Sequence, residues 1–68
     1  MDTPESLLFE ALGLTKITWE EALHISAIVS SSETAMLDMA EWVAKHPNSS
    51  IQEMVDKAVR LLEESMKS

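Results

Sequence analysis

Apolar residues in this chain recur at three- and four-residue intervals, in four blocks separated by short polar punctuation. That is the period of a helix face, and no segment alternates apolar and polar residues as a half-buried strand does. The first block opens at Thr3, a residue suited to capping, with Pro4 at the first helical position, where its missing N–H costs nothing. Glu5 places favourable charge in the first turn. Leu7, Leu8, Ala11 and Leu12 form a stripe, and the spacing predicts a short helix over 4–12. Gly13 suits the left-handed position just beyond such a helix, with Leu14 folding back onto Phe9.

The second block starts with Thr18, Trp19, Glu20 and Glu21, the pattern of a capping box in which Glu21 reaches back to the Thr18 N–H. Trp19, Ala22, Leu23, Ile25, Ala27, Ile28 and Val29 then cover most of the circumference of a helix over 19–29. A helix apolar on nearly all sides is central in a core or covered by another chain. Ser30, Ser31 and Ser32 interrupt the pattern, because serine competes for backbone hydrogen bonds. Any of the three can cap the next helix, Ser30 by a box with Glu33. A continuous, bent helix is the alternative.

The third helix, 33–45, places Ala35, Met36, Met39, Ala40 and Val43 on one face, with Leu37 and Trp42 off that stripe. Lys45 and His46 suit the negative end of its dipole, and Pro47 stops it. Ser50 and Glu53 form a further capping box. The last helix, 51–66, repeats Ile51, Met54, Val55, Ala58, Val59, Leu62 and Met66. Glu53–Lys57, Asp56–Arg60 and Glu63–Lys67 have the spacing of i,i+4 ion pairs along its polar side. The unequal lengths predict an all-α fold, a compact irregular or orthogonal bundle of about four short helices, rather than a regular up-down bundle.

Length sets how much core this bundle can have. The chain of 68 residues reads as one helical domain over 1–68. A domain of this size buries only about 60% of the surface its unfolded chain exposes. Disulfides and thiolate metal sites are closed to it, since it has no cysteine. Helix packing, a partner chain or an all-nitrogen and oxygen metal site remain. A hydrophobic fraction of 46% argues against disorder. The segment MDTPESLL lacks the basic start of a signal peptide, and no apolar run reaches the roughly 18 residues of a membrane span. A cytoplasmic, non-membrane protein is expected.

Twelve acidic and five basic residues give a net charge of −7. That field repels phosphate backbones and favours a partner with a basic surface. A helix-turn-helix reading fails on the same ground. Its reader helix would show Glu33, Thr34, Asp38, Glu41 and Lys45, poor in the Arg, Lys, Asn and Gln that read bases. Direct nucleic-acid binding is therefore not expected. An acidic protein occupying another protein's nucleic-acid-binding surface is a further reading, which needs carboxylates arrayed on one face.

Catalytic machinery is sparse. No Gly-rich turn presents a nucleophile, an oxyanion hole or a phosphate cradle. Glu21 and His24 spell Glu-x-x-His, which helical bundles use in pairs to hold two metals. One copy is present, so such a site needs a homodimer, with Glu10, Glu41 or Glu53 completing it. The simpler role of Glu21 is its capping box, and no cofactor is expected. The large apolar side chains are more informative. Tryptophan often anchors interfaces, and methionine adapts to irregular partners. Trp19, Leu23, Ile28, Met36 and Trp42 are the candidate contact residues of a non-enzymatic interaction module. That module would be a self-associating protein or an accessory or inhibitory subunit of a larger assembly.

Overall fold

In the computed structural model, which describes residues 3–67, each helix starts where a side chain satisfies free backbone N–H groups. Helix α1 (Pro4–Gly13) is capped by Thr3, whose hydroxyl accepts from the Ser6 N–H. Helix α2 (Trp19–Val29) and helix α4 (Ile51–Met66) both start in complete capping boxes, Thr18 with Glu21 and Ser50 with Glu53. Helix α3 (Glu33–Lys45) is capped by Ser32, which accepts from the Ala35 N–H at 3.2 Å. A cap of this kind contributes about 1 kcal/mol.

The serine run resolves into two tasks. Ser32 takes extended backbone angles and starts α3, so the chain does not continue as one bent helix. Ser30 closes α2, its hydroxyl donating to the Ala27 carbonyl at 3.0 Å. Residue His46 leaves the helical region at φ −130° and ψ 60°. The ring of Pro47 disfavours helical angles in the residue before it, which ends α3 there.

The expected end of α1 needs correction. Gly13 is the last helical residue and has no positive φ. The helix instead tightens into a final turn, in which the Leu14 N–H donates to the Ala11 carbonyl and the Thr15 N–H to that of Leu12. The Thr15 hydroxyl also donates to Leu12, at 2.6 Å. With these carbonyls satisfied, no left-handed residue is required. Leu14 consequently does not fold back onto Phe9; it stays exposed, and Phe9 stacks on Trp19 instead.

The four helices form an all-α bundle without strands among the described residues. α1 packs chiefly on α3 and α2 chiefly on α4, and α3 also rests against α4. Leu8, Leu12, Ile25, Val29, Met39, Val43 and Met54 are fully buried where the helices meet. Small side chains complete the core: Ala11, Ala22, Ala35, Ala40 and Ala58 allow close approach. The radius of gyration, 10.7 Å, matches the roughly 11 Å expected of a compact chain this long.

The buried face of α4 is rotated relative to the expected stripe. Met54, Ala58 and Leu61 point inward, whereas Val59 and Met66 lie outside. The apolar arc of this helix is wider than the space between α2 and α3, so its far edge faces water. The expected ion pairs along α4 are not formed. Glu53 is engaged by Ser50, and Asp56 accepts from Gln52 at 3.2 Å. Exposed pairs of this kind contribute only about 0.2–0.5 kcal/mol, too little to outweigh these local partners. Among the described residues the ion pair is Glu41–Lys45, at 2.9 Å.

Candidate interaction surface

Helix α2 divides into two faces. Ala22, Ile25, Ser26 and Val29 form the buried one. On the outer side lie Trp19, Leu23 and Ala27, four residues apart in sequence and all exposed. Trp19 is 68% exposed and Leu23 44%. The apolar character read around the whole helix thus splits into a core face and a stripe on the outside. The helix is not central in the bundle.

Trp19 is held in place despite its exposure. The Thr18–Glu21 box fixes the first turn, with the Thr18 N–H donating to Glu21 Oε1 at 2.9 Å. The indole stacks on Phe9 of α1, with ring centroids 5.4 Å apart and planes 27° from parallel. Such an offset pair contributes about 0.5–1.5 kcal/mol beyond area burial. Phe9 packs against the core, so the stack carries an apolar surface from α1 onto the start of α2. A large side chain already ordered loses little conformational freedom on binding.

Comparison with protein-family models, curated proteins and solved structures finds no match to this chain. The surface is therefore read from its own chemistry.

The other candidate contact residues lie elsewhere. Ile28 is half-buried against the core. Met36 is in the core, 8% exposed. Trp42 is half-buried and tilted over the exposed His46 ring at 4.8 Å. The structure thus brings Trp19 and Leu23 together on one stripe and separates them from Met36 and Trp42 on α3.

Three of the candidate metal ligands are engaged elsewhere, and two lie exposed on their helices. Glu21 and Glu53 each accept from the backbone of their own caps. Glu41 pairs with Lys45, and Glu10 lies exposed on α1. His24 is exposed, one turn beyond Glu21. Among the described residues, no three His, Asp or Glu side chains converge as a metal site requires. Acidic side chains are carried on all four helices. No helix among the described residues is long and apolar enough to cross a membrane.

The hydrogen bond from Lys45, and then the charge of that ammonium, hold Glu41 below the usual carboxylate range. The pair therefore contributes stability above the ordinary glutamate pKa and loses it as pH falls through the lowered value. Both side chains are well exposed, so the contribution is small and salt weakens it.

A second apolar surface lies apart from the candidate contact residues. Between α1 and α3 runs an open groove of about 570 Å³, bordered by Leu14 and Leu37. Its signal in the sequence is an identical spacing on two helices. Leu7, Glu10, Ala11 and Leu14 repeat the intervals of Leu37, Ala40, Glu41 and Ala44.

Proposed function

We propose that this chain is a non-enzymatic protein-interaction module, working in the cytoplasm, that binds another protein through the outer face of α2. The observation that supports this reading is the exposed Trp19–Leu23–Ala27 stripe beside a core that closes without it. Isolated exposed apolar residues are ordinary, but an ordered tryptophan, its stacked phenylalanine and a leucine one turn away make a continuous patch. Tryptophan at the centre of such a patch is the residue type that most often dominates binding energy.

The charge of the chain selects among partners. A net charge of −7 steers encounter with a basic surface and opposes the pairing of two identical copies. The small size fits an accessory or inhibitory subunit. Affinity would come from the apolar stripe, and specificity from the acidic side chains around it.

Site-specific photo-cross-linking in the producing cell tests this. With the cross-linker at position 23, one discrete adduct to a different protein is expected, formed only while Trp19 is present. With the cross-linker at Gln52, an exposed position on α4, that adduct should be missing. Equal labelling from both positions would remove the proposed face, and an adduct of two copies would replace the partner by self-association.

A further inference from the structure

The α1/α3 groove is separate from the α2 stripe and has a different chemistry. On α1 and its C-cap residue, Leu7, Glu10, Ala11 and Leu14 fall at positions i, i+3, i+4 and i+7 and line one side. On α3, Leu37, Ala40, Glu41 and Ala44 do the same for the other. Residues so spaced share a helix face. Each side contributes the same three layers. Ala11 and Ala40 are buried, at 6% and 9% exposure, and make a floor of methyl groups. Leu14 and Leu37 stand as walls, 70% and 43% exposed. By helical position Glu10 and Glu41 fall on the two outer edges, turned furthest from the core.

Two apolar walls over a small-residue floor are the shape that receives the apolar face of a helix. Seven residues at 1.5 Å each give the groove a length of about 10 Å, or two helical turns. The charges of the two edges decide what fits. Each edge carries one carboxylate, Glu10 on α1 and the Lys45-paired Glu41 on α3, and none of the five basic residues of the chain lines the groove. Lys45 engages Glu41 through Oε1 alone, on an exposed contact that an incoming cation can share. A second copy of this chain would bring the same net charge of −7 and no basic stripe flanked by free apolar residues. Phosphate-bearing surfaces meet the same repulsion.

We propose that the α1/α3 groove seats an amphipathic helix of a partner protein, apolar on its inner face and carrying Lys or Arg along both flanks. Leucine-sized side chains of that helix sit over Ala11 and Ala40, and its two cationic rows reach Glu10 on one side and Glu41 on the other. This is a second contact surface, and it stands or falls independently of the α2 stripe. With both occupied, the module would join two partner segments on different flanks of α1.

The test is an NMR titration of the isotope-labelled chain with a synthetic helical peptide. The peptide has leucine and alanine on one face and Lys or Arg on both flanks; a control peptide keeps the apolar face and replaces the cations by Glu. Saturable shifts confined to Leu7, Leu14, Leu37, Ala44 and their neighbours are expected, with the cationic peptide binding at least about tenfold tighter than the control. The Leu14→Ser/Leu37→Ser double variant, both positions being outside the core, should keep its helical signal and bind at least about tenfold more weakly. Trp19→Ser should bind the peptide as the parent chain does. Shifts scattered over the acidic surface, equal binding by the double variant, or no saturation would overturn the proposal. Groove shifts on simple concentration of the chain, without peptide, would replace the partner helix by a second copy.

Discussion

Replacing Met39 with alanine is expected to leave much of the chain unfolded at room temperature. Met39 is fully buried on α3, the helix that rests against both α1 and α4. Removing its side chain loses the transfer energy of the buried atoms and leaves a cavity, together about 2–5 kcal/mol. A core in a chain of this length supplies a net stability of only about 3–5 kcal/mol. The two figures are comparable, so the substitution removes most or all of the margin. Urea unfolding followed by the helical circular-dichroism signal measures it. Met39→Leu conserves volume and should cost under about 1.5 kcal/mol. An unchanged midpoint in Met39→Ala would mean that Met39 is not at the centre of the core.

Ala58→Asp is expected to unfold the chain at neutral pH by a different route. Ala58 lies fully buried on α4, the helix that packs on α2 and α3. A carboxylate there is removed from water without a partner, a cost of about 3–5 kcal/mol for an uncompensated buried charge. Burial raises the pKa of such a carboxyl in the folded state, because it penalises the ionised form. The deficit is therefore largest above that raised value and shrinks as pH falls through it. Denaturant midpoints across the acidic range should show partial recovery toward low pH. A variant as stable as the parent at neutral pH would place Ala58 at the surface.

These two positions also show what the sequence made legible. Met39 and Ala58 sit on helix faces that the three-four spacing identifies directly. The helix starts were equally readable, because Thr3, Thr18 and Ser50 cap through contacts three residues away. Such signals are local, and a sequence contains them whole. Gly13 misled because a glycine after a stripe permits a left-handed cap without requiring one. Thr15 supplied a different hydrogen bond to the same helix end. Leu61 is buried off the regular stripe, and Val59 and Met66 share the stripe's spacing yet lie outside, because the apolar arc of α4 is wider than its contact with neighbouring helices. Which part of the arc is covered depends on those neighbours.

The proposed contact surface follows the same division. Trp19 and Leu23 were recognisable as large apolar residues on a helix with more apolar positions than one face needs. Their exposure was not, since it depends on α4 taking the opposite face of α2. The stack of Phe9 on Trp19 joins two helices and has no local signature. The groove was hidden for the same reason: its matching residue spacings acquire meaning only when α1 and α3 lie side by side.

The most direct test of the central claim is one double variant, Trp19→Ser/Leu23→Ser, read in two ways. Thermal unfolding reports whether the stripe belongs to the core, and cross-linking from position 27 reports whether it contacts a partner. An interaction surface predicts a melting temperature lowered only by the loss of the Phe9–Trp19 stack, about 4–8 °C per kcal/mol, with the chain still folded at room temperature and the partner adduct lost. A chain that unfolds as readily as Met39→Ala, or that keeps the adduct at full yield, would contradict it.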